Sequence, residues 1–390
     1  MSVQVSYKKQ FVFFIILICI TLVSIEGFLR IAPLPNTECA FENEKVFEGF
    51  TKKETKIMCE EYNNVKFEKL GPISIFEPNQ KGQYFNVNSD RFRGGEVVFE
   101  ENDYRIFVLG GSTIGGYITS SDELTIPAIL EKKLRDDGLN VKVVNAGIGG
   151  STAMDARYYL ENYVINYQPN MIIMYDGWNE VQYKHRSSFT YDEFVNFSPD
   201  YNYRGEDPSS ISGPILEFYT ILTDLDYKTA IGILNYFNNI RVELNNYFMD
   251  DSEKAEFFEK SIPIIENSLE DSWVNVCKLG EKENFETINI LHPLIGTSDR
   301  KIPKFTEKFS NHEDVEFLKK INLKNMSLET CENVYDFRNI LSERDNEVIY
   351  FDRGHMSDFG NEIIAEKIYK KILLIILNDA KWLKIIQELQ

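Results

Sequence analysis

The longest apolar stretch in the chain runs from Phe11 to Ile25, broken only by Thr21 and Ser24, and follows Lys8 and Lys9. Glu26 interrupts it, and Phe28, Leu29 and Ile31 extend it. As a helix, residues 11–31 would be about 30 Å long, which matches the hydrocarbon thickness of a bilayer. The pattern predicts a cytoplasmic tip and a single membrane-spanning anchor over residues 1–31. The two lysines put the N-terminus inside and the rest of the chain outside. A cleaved signal peptide and a buried soluble helix are the competing readings. No small-x-small cleavage site stands out after the run, which favours an uncleaved signal-anchor.

Residues 32–103 show no clear period and read as a juxtamembrane extension. From Tyr104 the pattern changes. Arg105–Leu109, Val141–Val144 and Met171–Tyr175 are short buried-strand runs. Between them, Ile126, Ile129, Leu130 and Leu134 fall at helical spacing, and a second helix fits residues 154–167. Asp137-Gly138 closes the first of these helices. Strands alternating with helices imply an α/β fold with a parallel sheet covered on both faces, a three-layer α/β/α sandwich.

The alternation stops over residues 180–285. Residues 189–212 read as irregular, and helical spacing resumes at 215–225, 231–247 and 255–278, a helical cap inserted into the sheet. Thr287–Leu291 restores the sheet, Val348–Phe351 reads as a last strand, and Gly360–Leu377 as a last helix. The α/β domain is thus placed at 104–378, followed by a tail over 379–390.

The formal net charge of -19 repels polyanions and argues against nucleic acid as a partner. Of five cysteines, Cys19 lies in the proposed anchor. Cys39, Cys59, Cys277 and Cys331 would face an oxidising exterior and admit three full pairings, with Cys39–Cys59 the local choice and four free thiols the alternative. No His/Cys cluster suggests a metal site.

Four motifs carry the candidate chemistry: Gly110-Gly111-Ser112-Thr113, Asn145-Ala146-Gly147-Ile148-Gly149-Gly150, Gly177-Trp178-Asn179 and Asp352-Arg353-Gly354-His355. Each follows a strand-like run. A Gly-Gly turn at the end of a strand exposes the next side chain at the sheet's carboxyl edge, which suits Ser112 as a nucleophile. A phosphate-binding turn is the rival, but no lysine follows in Walker spacing and no full GxGxxG is present. Asp352 stands three residues before His355, a spacing that lets its carboxylate reach the near imidazole nitrogen while the far one faces a serine. The remaining histidines, His185, His292 and His312, suggest no comparable role. His292 ends a strand and reads as structural, with a substrate contact as the alternative.

Taken together and in order, these motifs resemble those of the SGNH/GDSL hydrolases, a family of serine esterases and related acyl-transfer enzymes. The segment Asn86–Gly94 is similar to the one before the first catalytic strand in membrane-anchored members. The resemblance implies a flavodoxin-like sheet of about five strands, with Ser112, His355 and Asp352 as the triad. It also implies an oxyanion hole from the N–H groups of Ser112 and Gly150 and the Asn179 amide. Gly147 and Gly149 leave the glycine register open. The chain departs from the family's Gly-x-Asn-Asp at Glu180, a supporting position. No metal or organic cofactor is implied.

The chemistry expected is hydrolysis of an acetyl or short acyl ester, with a small ester or an O-acylated carbohydrate as substrate and a lipid ester as a further option. An O-acyltransferase modifying cell-surface polysaccharide and a non-catalytic binding protein on the same fold are the alternatives. The cap at 180–285 leaves the sheet beside Asn179 and is expected to restrict the acyl group or select the acceptor.

Overall fold

The computed structural model describes residues 6–31, 45–182, 189–196, 251–310 and 313–379. The chain divides into two compact units, 1–39 with 200–256, and 40–199 with 257–390. In the first, helix α1 (Tyr7–Ile31) covers the apolar run, and Phe11, Phe13, Phe14, Leu17 and Ile20 along it are exposed. Among the described residues no helix is long and apolar enough to cross a membrane. The side chains at 19, 22, 25 and 28–31 lie outside them.

The second unit is built on a parallel sheet. Its strands are β3 (Tyr104–Gly110), β4 (Val141–Gly147), β5 (Met171–Asp176), β6 (Glu286–Leu291) and β7 (Val334–Asp336), in the order β4-β3-β5-β6-β7. This is the flavodoxin-like order expected. β5 is buried along its whole length, which explains why it reads as a continuous apolar run rather than an alternating one.

A two-stranded antiparallel hairpin, β1 (Phe67–Leu70) and β2 (Ile73–Phe76), precedes the sheet, behind helix α2 (Lys52–Asn63). Thr51 caps α2 in a capping box with Glu54. These elements belong to the same compact unit as the sheet, so the extension at 45–103 is folded structure rather than a featureless linker.

The short helix α3 (Ser112–Gly115) and α4 (Ile126–Asp136) follow β3, and α5 (Ala153–Asn162) follows β4. The turns α6 (Trp178–Gln182) and α7 (Tyr191–Asn196) follow β5. α7 replaces part of the irregular stretch expected at 189–212; the rest of that stretch and the expected helices at 215–225 and 231–247 lie outside the described residues. Helix α8 (Asp251–Glu283) matches the last helix expected in the insertion. After β6 come α9 (Glu313–Lys320) and, last, α10 (Asp358–Asn378).

One face of the sheet packs Ile106, Val108 and Ile173 against Leu130 and Leu134 of α4 and Ile364 and Ile368 of α10. The other face meets α5 and α8, with Phe92 edge-on to Phe107 at 5.7 Å between ring centroids. Asn289 of β6 donates to Cys277 Sγ of α8 at 3.2 Å. Three layers result.

One expected strand is not there. Residues 348–351 carry only an isolated bridge, Tyr350 to Met356. Phe351 N donates to His355 O (2.9 Å) and Ser357 N to Ile349 O (2.8 Å), so the chain folds back on itself instead of joining the sheet. The apolar residues there, Ile349 and Tyr350, are buried as anchors of this turn. The fifth strand is the three-residue β7.

Cys277 and Cys331 form a disulfide with Cα atoms 5.5 Å apart, and Cys59 is also disulfide-bonded. Cys39, its expected partner, lies outside the described residues. The Cys277–Cys331 bond ties α8 to the segment before β7 across 54 positions. Replacing both cysteines with serine is expected to destabilise the fold by about 4 kcal/mol through the freed unfolded chain. Urea melts of the two proteins check this, and coincident melts would show that the bond does not constrain the fold.

Candidate active site

Ser112 is the first residue of α3, placed at the carboxyl edge of β3 by the Gly110-Gly111 turn. A Cβ on Gly111 would collide with the Asn179 amide, so only glycine lets Asn179 pack this close to the backbone beside Ser112. Ser112 Oγ lies 2.7 Å from His355 Nε2. His355 Nδ1 lies 2.6 Å from Asp352 Oδ2. Asp352 Oδ1 accepts the backbone N–H groups of Gly354 (2.9 Å) and His355 (2.8 Å). Three side chains separated by up to 243 positions thus form one chain of hydrogen bonds.

Burial pushes the Asp352 carboxyl up, but the charge and ring N–H of His355 and the two backbone N–H groups outweigh it, and its pKa lies below the usual carboxylate range. An ionised, fixed Asp352 favours the tautomer with the ring proton on Nδ1, which leaves Nε2 to accept from Ser112. The ring of His355 is held between Tyr117 (4.7 Å between centroids) and Trp178 (4.8 Å).

Asn179 is buried in α6, and its Nδ2 donates one hydrogen to Ser151 O at 2.7 Å. A side-chain amide has a second N–H to give. Gly150 sits on the same loop with φ +75°, and Gly149 lies beside the Ser112 side chain and lines the recess in front of it. Gly147 is packed tightly on the Ile114–Gly115 backbone, and Asn145 Nδ2 donates to Ile114 O at 2.9 Å. These two residues fasten β4 to α3 rather than face the Ser112 side chain.

Glu180 is fully buried and does more than support the turn. One carboxylate oxygen accepts Gly177 N at 2.7 Å and the other accepts Ala153 N, so a single side chain clips the loop after β5 to the loop after β4. His292 is buried as a structural residue: Nε2 accepts Trp178 N at 2.8 Å, and burial lowers its pKa to about 3, which keeps it neutral. His185 and His312 lie outside the described residues.

The sequence reading missed Asp176 and Trp273. Asp176 ends β5, and its Oδ2 accepts Trp273 Nε1 from α8 at 2.8 Å, while Oδ1 has no partner among the described residues. Burial raises its pKa well above the usual carboxylate value, and the charge of Glu180 raises it further. The folded protein therefore holds this proton longer than the unfolded chain does. Stability is lost as pH rises from about 4, the unfolded value, through the higher folded one. Asp176→Asn keeps the acceptor for Trp273 and removes the titration. The variant is expected to gain thermal stability over the parent as pH rises above 5. Tm profiles that stay parallel from pH 5 to pH 9 would contradict this.

The recess in front of Ser112 has a volume of about 430 Å3, and its described lining includes Tyr62, Phe76, Phe85 and Tyr117 from outside the motifs. None of its described lining comes from the insertion. The cap expected to form a wall is in large part outside the described residues, and the walls that are described come from the N-terminal extension and the loop after α3. Among the described residues no group of His, Cys, Asp and Glu could hold a metal ion.

No family model and no curated protein matches the chain. Among solved structures it is similar to the acetyl xylan esterase AlAXEase, at 14% identity over 68% of this chain and 98% of that one, with a TM-score of 0.39. An acetyl xylan esterase from Geobacillus stearothermophilus is similar at 13% identity, over 70% and 96% of the two chains, with a TM-score of 0.39. A putative lipolytic protein of the G-D-S-L family from Desulfitobacterium hafniense is similar at 12% identity, over 69% and 99%, with a TM-score of 0.35. Likeness at this level carries no argument about what this chain acts on. In strand order and in the order of its motifs, the chain resembles the SGNH/GDSL hydrolases.

Proposed function

We propose that the protein is a serine ester hydrolase of the SGNH type acting on an acetyl or short acyl ester. The observation that carries this reading is the continuous Ser112–His355–Asp352 hydrogen-bond chain at the floor of a recess. Ser112 Oγ attacks the acyl carbon as His355 Nε2 takes its proton. The developing oxyanion is held by the N–H groups of Ser112 and Gly150 and by the second N–H of Asn179. His355 then returns the proton to the leaving alcohol, and water attacks the acyl-serine by the same route. Transfer to a carbohydrate hydroxyl uses the same acyl-enzyme and differs only in the acceptor.

We further propose that α1 anchors the chain in a membrane with the catalytic unit outside. Lys8 and Lys9 before the apolar run support the orientation, and the Cys277–Cys331 bond supports an oxidising compartment. Full-length protein incubated with an aryl acetate, with and without a glycan acceptor, tests the reaction. Release of free acid supports hydrolysis, and acylated glycan supports transfer. No turnover and no labelling by a fluorophosphonate would leave only the non-catalytic alternative.

A further inference from the structure

Five ring contacts lead away from the catalytic histidine without a gap. Tyr117 packs on His355 at 4.7 Å and on Tyr62 at 5.1 Å between centroids. Tyr62 meets Phe85 at 5.3 Å, Phe85 meets Phe76 at 5.6 Å, and Phe76 meets Phe67 at 5.2 Å. These rings come from α2, the β1–β2 hairpin, the segment before β3 and the loop after α3. Together with Val65 they line the recess into which Ser112 opens. Phe76 and Phe85 are almost fully buried, whereas Phe67 is 44% exposed and forms the rim.

Two polar groups near this wall, the Tyr62 hydroxyl and the Arg93 guanidinium, are already engaged. Tyr62 Oη lies within hydrogen-bond distance of Gly116 O (2.8 Å) and Thr119 O (2.7 Å). The Arg93 guanidinium stacks over Phe85 at 3.7 Å, but it donates to Asp122, to the carbonyls of Gly115, Gly116 and Tyr84, and to Thr119. Arg93 therefore fixes the wall against the loop after Ser112 and is not presented to a substrate. A sugar needs hydrogen-bond partners when it is desolvated. The phenylalanines offer none. A hydrocarbon chain needs only apolar surface, and each methylene buried against it improves binding about threefold to fourfold.

We propose that this aromatic wall is the acyl-chain subsite of the Ser112 site and selects esters whose acyl group is longer than acetyl, of the hexanoyl to octanoyl class. The proposal rests on the serine-esterase reading above and narrows its acyl group from acetyl to the longer end of the short acyl chains. A volume of about 430 Å3 is far more than an acetyl group fills and lies within the usual range of small-molecule sites.

The test uses the full-length chain in phospholipid nanodiscs with p-nitrophenyl acetate, butyrate, hexanoate and octanoate. Active sites are counted by fluorophosphonate labelling of Ser112. The kcat/KM per labelled site is expected to rise at least tenfold from acetate to octanoate. Val65→Trp, which fills the recess, is expected to lower the octanoate-to-acetate ratio at least tenfold. Phe67→Ala, at the exposed rim where the fold tolerates it, is expected to lower that ratio about threefold. A flat or falling series with Ser112 labelled, or a ratio that neither variant moves, overturns the subsite and leaves the esterase reading standing. If Ser112 is not labelled and no ester turns over, the esterase reading fails and the subsite with it.

Discussion

Ser112→Ala is expected to lower kcat for an aryl ester by about 10^4-fold or more while leaving the fold intact. Among the described residues the Ser112 hydroxyl hydrogen-bonds only to His355, so its removal breaks no other hydrogen bond there. Neighbouring serines are committed elsewhere. Ser120 Oγ donates to Asp358, and Ser357 Oγ donates to Val348 O and caps α10. Neither faces an imidazole. Mass analysis after fluorophosphonate treatment should put the adduct on Ser112. A variant that keeps more than a tenth of the parent rate, or an adduct on another serine, would refute the assignment.

Asp352→Asn is expected to cost about as much, on the order of 10^4-fold in kcat. Asp352 Oδ1 accepts two backbone N–H groups, so an asparagine must keep its oxygen there and turn its NH2 toward His355. Nδ1 must then present a lone pair, and the ring proton moves to Nε2, where it faces Ser112. A histidine in that tautomer cannot take the serine proton. A loss smaller than tenfold in aryl acetate turnover would show that Asp352 does not set the tautomer.

Much of the sheet was legible in the sequence, because strands buried on both faces read as apolar runs. β3, β5 and β6 all stand where those runs predict, and β4 extends its run by three residues to Gly147. β7 was not legible. Three residues at a sheet edge, Val334-Tyr335-Asp336, carry too little apolar content to stand out, whereas Val348–Phe351 imitates a strand because the turn to Met356 needs buried anchors. Ser112, His355 and Asp352 could be named as candidates because acyl-transfer chemistry constrains residue type and order.

The aromatic wall could not be read in this way. Its rings are scattered from Tyr62 to Tyr117 with no period, and only tertiary folding brings them together. Asp176 escaped, and Glu180 was placed only at a supporting position, for a related reason. A buried carboxylate is recognised by what it faces, and no spacing rule shows that Glu180 joins two loops. The cysteine pairing is likewise a matter of distance in space.

The turn from Tyr350 to Met356 has one more consequence. Asp352 and His355 are registered to each other by a few covalent links and by hydrogen bonds made within the turn itself. Their mutual error is therefore small and local. The distance from Nε2 to Ser112 is different, because it accumulates the positional error of the entire sandwich between β3 and the docking of α10. Asn361 of α10 donates to Leu124 O, and Lys133 of α4 pairs with Glu366, so this distance is gauged at several points along one helix interface. Turnover then acts as a vernier on tertiary order. It should fade on mild loosening of that interface, before helix content or the turn itself reports any change.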